Sequence, residues 1–216
     1  MRTKIKKLSM LCLLFIAINI QAQEFNFGLS AGVDAANIRI SNSTQLDLTK
    51  ADPMIAFNLN AFAAYRSAGF WGITAEPGFI QKGANITISS YPKDFESRMQ
   101  LNYIQLPLLA DFHLTDKLFL SVGPEFAYLV SAKARNDDEK VDFYDYYDKK
   151  FEVSSMAAIN YTILPRIDIA LRYSHGFTTI SEMEFTNEMG EPTGEAKEKS
   201  QYLQLMVRAR IFSSRQ

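Results

Sequence analysis

WGITAEPGFIQKG, residues 71–83, alternates in polarity along its length. Trp71, Ile73 and Phe79 occupy one set of alternate positions, and Glu76 and Lys82 occupy the other. Successive side chains of a β-strand point to opposite faces, so a two-residue period predicts a strand whose faces meet different surroundings. A charge in the middle of such a strand needs partners on its own face, because a lone buried charge is very costly.

The same period recurs along the chain, beginning with EFNFGLSAGVDAANI at residues 24–38. Seven further segments follow, at about 54–65, 71–83, 101–112, 118–133, 151–163, 167–177 and 201–212, of which 151–163 is the least regular. Each is long enough to cross a bilayer as a tilted strand. The pattern therefore predicts eight strands.

The predicted connections alternate strictly between short and long. Residues 66–69, 113–117 and 164–166 form tight turns, whereas the links near 35–53, 84–100, 134–150 and 178–200 are long. Outer-membrane barrels place short turns in the periplasm and long loops outside the cell. The sequence thus predicts an all-β fold: an eight-stranded antiparallel up-and-down transmembrane barrel with short periplasmic turns and long extracellular loops.

The first 22 residues have the composition of an export signal. Four basic residues precede an apolar stretch, residues 8–20, and Ala22 provides a small residue for cleavage. Residues 1–22 are therefore predicted to be a secretory signal peptide and residues 23–216 a single barrel domain in the outer membrane. Removal of the signal discards four basic residues and no acidic ones, which changes the net charge from −1 to −5, and it also discards Cys12, the single cysteine.

Two features favour a membrane barrel over a soluble one, which would show the same alternation. Aromatic residues gather at predicted strand ends: Tyr65, Phe70, Trp71 and Phe112 near tight turns, and Tyr103, Tyr128 and Tyr173 toward long loops. The less apolar face is rich in small residues that suit the crowded interior of a small barrel. These are Gly28, Ser30, Gly32, Ala56, Gly72, Gly78, Ser121, Gly123, Ala127, Ala170 and Gly176.

Charged residues of both signs share this predicted inward face. They are Asp34, Glu76, Asp111, Glu125, Arg172, Arg208 and Arg210, with Lys82 as a further candidate. Carboxylates and guanidinium groups can satisfy one another through charge-assisted hydrogen bonds. We expect a buried network that plugs the lumen, and we prefer this interpretation to a proton or ion path or a catalytic carboxylate pair.

Four strand segments carry a resemblance to a known family. ITAEPGFIQKGANI (73–86), LNYIQLPLLADFHL (101–114), LSVGPEFAYLVSAK (120–133) and IALRYSHGFTTI (169–180) resemble strands of the porin-like, PorT-type outer-membrane beta-barrel family of Gram-negative bacteria. The chain departs from the family pattern where Pro77 follows Glu76 and where Gln105 replaces a common acidic residue. The resemblance implies the barrel fold, and for a few members it implies a role in secretion or surface assembly.

The long loops are the predicted functional region of a non-enzymatic surface protein. ARNDDEKVDFYDYYDKK, residues 134–150, interleaves Tyr144, Tyr146 and Tyr147 with acidic residues. Tyrosine provides a large amphipathic contact surface at small entropic cost. We expect these loops to bind a protein or glycan ligand or to shield the cell, with outer-membrane lipids around a monomeric barrel.

Three alternatives remain open. A lipid-modifying enzyme would need a nucleophile and base, but Ser174 and His175 are adjacent in a strand and point to opposite faces. A diffusion pore conflicts with a filled eight-stranded lumen. A component of a secretion or assembly machinery follows from the family resemblance alone. No catalytic, cofactor or metal site is predicted, and a mildly acidic exported chain is not expected to bind nucleic acid.

Overall fold

The computed structural model describes residues 23–41, 49–88, 95–136, 139–147, 149–186 and 192–214. The predicted signal peptide, residues 1–22, lies outside the described residues, so the two domain boundaries stay predictions. Within the described chain no helix is both long and apolar enough to cross a membrane.

Twelve strands and a short 3-10 helix, Tyr144–Tyr146, make up the described secondary structure. The strands are β1 (Glu24–Ser41), β2 (Thr49–Asp52), β3 (Met54–Arg66), β4 (Trp71–Ala75), β5 (Gly78–Ile88), β6 (Phe95–His113), β7 (Leu118–Asn136), β8 (Glu139–Asp142), β9 (Phe151–Leu164), β10 (Ile167–Gly176), β11 (Ser181–Thr186) and β12 (Pro192–Ser213).

Every pairing among these strands is antiparallel. Neighbours follow the order β6, β4, β3, β1, β12, β10, β9 and β7, and β7 pairs in turn with β6. The series of pairings therefore returns to the strand from which it started. The short strands lie beside it: β2 and β3 both pair with β5, β8 pairs with β7, and β11 pairs with β12. The all-β, antiparallel part of the prediction is confirmed.

The structure has twelve strands where the sequence predicts eight. Two of the extra strands arise at prolines, which cannot donate a backbone hydrogen bond to a sheet. Pro53 separates β2 from β3, and Pro77 lies between β4 and β5, so residues 71–83 are interrupted rather than continuous. The other two, β8 and β11, lie in stretches where the sequence predicts long loops.

The break beside Pro77 is bridged by hydrogen bonds to both neighbouring strands. The Glu76 amide donates to the carbonyl oxygen of Pro107 at 3.0 Å, and the Ala61 amide donates to that of Pro77 at 2.9 Å. Strands β4 and β5 consequently both lie between β3 and β6, as two halves of one interrupted strand. Glu76 is held in line with them, with its side chain fully buried.

The two ends of the sheet differ in the length of the connections between strands. The tight turns after β3, β6 and β9 lie at the same end as the start of β1 and the end of β12, and we call this the short-turn end. Aromatic side chains cluster there, with ring centroids 5.1 Å apart for Phe25 and Tyr65 and 5.8 Å apart for Tyr65 and Trp71. The opposite end, toward which the long connections extend, is the long-loop end.

The two faces of the strands differ sharply in exposure. In β3 and β10, buried and exposed residues alternate almost without exception. On β12 the outward, apolar positions run from Leu203 to Phe212, a distance of about 30 Å along the strand and about 23 Å across a membrane at a tilt of about 40°. This height matches the apolar band of an outer-membrane barrel.

An apolar cluster fills the buried face toward the long-loop end. It includes Ile38, Ala132, Ile180 and Tyr147, which come from distant parts of the sequence. Tyr103 belongs to the same cluster and is 2% exposed. The expectation that Tyr103 lies with the surface aromatics is therefore wrong, whereas Tyr128 and Tyr173 are exposed as predicted.

Candidate functional site

Glu76 and Arg172 form an ion pair at the centre of the buried face. Two guanidinium nitrogens of Arg172 donate to the two carboxylate oxygens of Glu76, at 2.5 and 2.9 Å. A nitrogen of Arg208 lies 3.5 Å from the same carboxylate. Glu76, Arg172 and Arg208 are all buried. The bidentate geometry is the strong form of this ion pair. The pair joins the β4–β5 segment to β10 across the interior.

A second buried cluster surrounds Lys82. Its ammonium lies 2.6 Å from a carboxylate oxygen of Glu125 and 2.9 Å from one of Glu152. The rings of Tyr103 and Tyr202 face the same ammonium, with centroids 5.1 and 5.4 Å away. Carboxylates and aromatic faces both stabilise a desolvated cation, so Lys82 holds β5, β7 and β9 together from inside.

Hydroxyl groups donate further hydrogen bonds to these two carboxylates. Ser174 donates to Glu125 at 3.1 Å, and Tyr202 also donates to Glu125. Ser154 and Ser200 donate to Glu152. A buried carboxylate with several donors needs fewer countercharges, which allows one lysine to serve two acidic residues.

Asp34 is joined to neutral side chains rather than to a cation. Asn58 donates to both of its carboxylate oxygens, at 3.0 and 3.1 Å, and Asn60 donates to Asn58 at 3.2 Å. Gln105 extends this chain by donating to Asn60 at 2.7 Å. The amides form a ladder across β1, β3 and β6.

Glycines make room for the amide ladder. A Cβ atom at Gly78 would collide with the side-chain oxygen of Asn60, and one at Gly32 would lie 2.8 Å from the amide nitrogen of Asn58. The small residues on this face therefore have a steric role, since a larger side chain at either position would displace a hydrogen-bonded amide.

Asp111 lies nearer the short-turn end. It accepts hydrogen bonds from Thr74 and Ser121, both at 2.5 Å, and Asn160 donates to Ser121 at 2.9 Å. Asp168 lies at the same end, where it accepts from Thr162 at 2.7 Å and from Arg210 at 3.0 Å.

The short-turn end also contains a small cavity of about 50 Å³. Its lining includes Asp111, Asp168, Arg208 and Arg210. Arg208 stacks above Phe62, with its guanidinium carbon 4.5 Å from the ring centroid. The cavity is lined by both polar and aromatic side chains and has room for water, but it is far smaller than a channel through the interior.

The structure places the predicted charged residues in several separate groups. Glu76, Arg172 and Arg208 lie together, Glu125 lies with Lys82, and Asp168 pairs with Arg210. Asp34 and Asp111 have only neutral side-chain hydrogen-bond partners in the described chain.

Three members of these groups are absent from the charged set proposed above. Glu152 and Tyr202 complete the Lys82 cluster, and Asp168 is the partner of Arg210. Glu152 shares its strand parity with Ser154 and Asn160, all of which are buried. Polar residues at alternate positions are the signal that would have identified Glu152 as inward-facing, but the irregular pattern of residues 151–163 obscures it.

The three loop tyrosines have different environments. Tyr146 is 81% exposed and packs against Phe143, with ring centroids 5.6 Å apart. Tyr144 is half-buried, with the Lys150 ammonium 3.9 Å from its ring centroid. Tyr147 is 7% exposed, and its hydroxyl lies 3.3 Å from the sulfur of Met99. Burial raises the pKa of Tyr147.

The segment that carries these tyrosines is anchored from both sides. The Phe143 amide donates to the Ala132 carbonyl at 2.9 Å, and the Tyr144 amide donates to the Asp142 carboxylate at 2.9 Å. Because Tyr147 inserts into the apolar cluster, the 3-10 helix is held over the interior with Tyr146 displayed to solvent. Tyr146 is thus the member of the three that is available for an outside contact.

Ser174 and His175 lie on opposite faces of β10. Ser174 is buried against Glu125, whereas a ring nitrogen of His175 lies 3.4 Å from the hydroxyl of Tyr173 on the outer face. Their arrangement does not form a nucleophile–base pair. In the part of the chain that is described, no group of three or more His, Cys, Asp or Glu side chains is arranged to hold a metal ion.

Known proteins share the architecture of this chain. A family model described as outer membrane protein beta-barrel domain matches residues 21–182. Neisserial surface protein A is 14% identical with a TM-score of 0.52, and the match covers 86% of this chain and 97% of that one. No curated protein sequence matches the chain significantly.

Two further solved structures are similar at lower TM-scores. Ail, the attachment invasion locus protein of Yersinia pestis, is 12% identical with a TM-score of 0.47, covering 89% of this chain and 100% of Ail. The outer membrane protease OmpT from Escherichia coli is 6% identical with a TM-score of 0.41, covering 88% and 98%. At these identities the similarity concerns the fold and carries no function with it.

Proposed function

The chain belongs to the outer membrane protein beta-barrel domain family, and from this premise we propose that it is a non-enzymatic barrel acting through its long-loop end. The protein resides in the outer membrane. Its proposed role is to bind a protein or glycan at the cell surface, or to shield that surface. The narrower PorT-type assignment rests on the strand motifs alone.

The proposed barrel has eight staves. β2 with β3 forms one stave, and β4 with β5 forms another, since each pair is interrupted only around a proline. These two staves join β1, β6, β7, β9, β10 and β12 in the closed series of pairings. The strands β8 and β11 extend the long-loop end. Outward apolar residues over a height of about 23 Å support a lipid-facing wall.

The buried ion pairs carry the proposal. Glu76 with Arg172, and Lys82 with Glu125 and Glu152, link facing staves across the interior. An eight-stranded barrel has room only for its own side chains, and these are held by charge-assisted bonds. A filled interior argues against a diffusion pore, and it directs attention to the loops.

The interior network also argues against an enzyme. Ser174 is committed to Glu125 inside, while His175 faces outward. The buried carboxylates of Glu76, Glu125 and Glu152 have cations as partners, and those of Asp34 and Asp111 have amide or hydroxyl donors. We therefore assign them to stability rather than to acid–base chemistry.

The loop contact proposed for recognition centres on Tyr146. It is an exposed aromatic beside the exposed residues Asp142 and Asp145, on a segment anchored by Tyr147. A rigid aromatic supplies contact area with little loss of entropy on binding. The rest of the long connections is where further contacts would be sought.

Orientation can be tested by cysteine labelling, because Cys12 is the single cysteine of the full sequence and lies in the predicted signal peptide. In intact cells, Tyr146→Cys should react with a membrane-impermeant maleimide. Lys117→Cys, in a tight turn, should react only after the outer membrane is permeabilised. The opposite result would place the loops in the periplasm and overturn the proposal.

Binding can be tested by replacing Tyr146 with a photo-crosslinking amino acid in intact cells. The matched control is Tyr161, which is exposed on the outer face of β9. A surface-binding role predicts a crosslinked macromolecule from position 146 and lipid adducts from position 161. In planar bilayers the purified protein should give no steady channel steps, and regular steps would contradict the filled interior.

A further inference from the structure

Basic side chains lie on the outer face above the apolar band, in two groups. Arg39, Arg98, Lys133, Arg135 and Lys140 are exposed, and Lys199 is half-exposed. Their strand neighbours Ile38, Ala134 and Glu198 point inward and are buried. We call the six basic residues the upper basic belt.

Within the belt, like charges face each other across the strands. Arg39 of β1 is directly paired with Lys199 of β12. Arg98 of β6 is paired with Arg135 of β7, which is also paired with Lys140 of β8. Directly opposed like charges destabilise a sheet. Opposed like charges occur at two places in the closed series of paired strands. One lies between β1 and β12, and the other lies between β6 and β7 on the opposite side.

The belt lacks internal counterions in the part of the chain that is described. None of its members forms an ion pair there within 4.0 Å, although Glu96 shares the exposed face with Arg98 and Asp142 is paired in register with Lys133. Other loop residues do form such pairs: Lys149 lies 2.8 Å from Glu182, and Lys50 lies 3.0 Å from Asp52. Among the described residues the belt cations therefore have no carboxylate at ion-pair distance, although Arg98 donates a hydrogen bond to the Ile55 carbonyl at 2.8 Å.

The height of the belt matches lipid headgroups. Lys199 lies four residues beyond Leu203, the last outward apolar residue of β12, which places it about 13 Å farther along the strand and about 10 Å higher across the membrane. Headgroup regions extend about 5–8 Å beyond the hydrocarbon on each side of a bilayer. Lysine and arginine side chains are long enough to reach down into this layer.

We propose that the upper basic belt binds anionic, phosphate-bearing lipid headgroups in the leaflet at the long-loop end. The charges point radially outward, directly above the apolar wall, and they lie on opposite sides of the ring. A surrounding lipid leaflet can contact both sides at once, whereas a compact soluble ligand cannot. The inference rests on the proposed barrel and its lipid-facing wall, but not on the loop ligand.

The test is native mass spectrometry of the detergent-solubilised protein, with phosphatidylglycerol compared with phosphatidylcholine. The wild type should prefer phosphatidylglycerol, and the preference should fall as salt is added. Each belt charge removed, in Arg39→Gln, Lys199→Gln, Arg98→Gln or Arg135→Gln, should lower that preference roughly fivefold. Lys117→Gln and Arg166→Gln, in the tight turns, are the controls and should keep it.

A second measurement separates lipid binding from a structural role. In uncharged detergent, Arg39→Gln, Lys199→Gln and Arg135→Gln should melt at or above the wild-type temperature, because each removes a like-charge repulsion, whereas Arg98→Gln also loses the hydrogen bond that Arg98 donates to the Ile55 carbonyl at 2.8 Å. Phosphatidylglycerol should then stabilise them less than the wild type. The proposal fails if the double variant Arg39→Gln/Lys199→Gln keeps the full preference or if the controls lose as much. It also fails if inorganic phosphate alone reproduces the stabilisation.

Discussion

Replacing Glu76 with alanine should strongly destabilise the barrel. The carboxylate is fully buried and accepts two hydrogen bonds from Arg172, with Arg208 at 3.5 Å. After Glu76→Ala, the Arg172 guanidinium would remain buried, with a weak hydrogen bond to the sulfur of Met156 at 3.9 Å. Two arginines would then share a desolvated space without their common counterion.

The magnitude follows from the cost of an unpaired buried charge. Removal of one partner of a buried ion pair costs about 3–5 kcal/mol. For a domain of this size that corresponds to a decrease in Tm of roughly 6–20 °C. Arg172→Met should cost less, because Arg208 stays near Glu76. The double variant Glu76→Met/Arg172→Met should recover part of the loss, since a well-packed apolar pair can replace a buried ion pair, while Arg208 still lacks its neighbouring carboxylate.

The assay is the heat-dependent change in gel mobility of the refolded protein in detergent, checked by circular dichroism. Glu76→Gln is the steric control, because it keeps the side-chain volume and removes the charge. The electrostatic argument predicts that Glu76→Gln is also destabilised. An unchanged Tm for Glu76→Ala, or a double variant that melts as low as the worse single variant, would refute it.

Two further predictions concern the other buried groups. Lys82→Met leaves the carboxylates of Glu125 and Glu152 without their shared cation, so the yield of heat-modifiable folded protein should fall, and adding Glu152→Gln should restore part of it. Burial raises the pKa of Tyr147 above its ordinary value of 10.0, so stability carried by the neutral phenol is present below that value and is lost as the pH rises above it. Tyr147→Phe should reduce the alkaline decline in Tm, whereas Tyr146→Phe, at an exposed position, should not.

The alternation of side chains predicted the β-structure well, but it could not predict the interruptions. Residues 54–65 and 151–163 correspond closely to β3 and β9. The stretch 71–83 divides around Pro77, because the proline nitrogen has no hydrogen to donate to the neighbouring strand. A two-residue period shows which face a side chain occupies, but it does not show whether each backbone amide has a hydrogen-bond partner.

The charged residues of the interior were recognisable from their parity, whereas their partners were not. Glu76 and Arg172 are 96 positions apart, and their contact depends on the registers of several intervening strands. A separation of 70 positions in the sequence likewise hid the pairing of Lys82 with Glu152. Tyr147 was grouped with Tyr146 because both lie in one acidic segment, yet the 3-10 turn directs one inward and the other outward.

The sequence by itself determined that this chain forms antiparallel strands with one apolar and one polar face, because that pattern depends on residues two positions apart. The order of the strands in space, the bidentate pairing of Glu76 with Arg172 and the opposed charges of Arg39 and Lys199 were decided by the tertiary structure. Strand register sets these contacts, and register is a property of two strands together, so no single segment of sequence contains it.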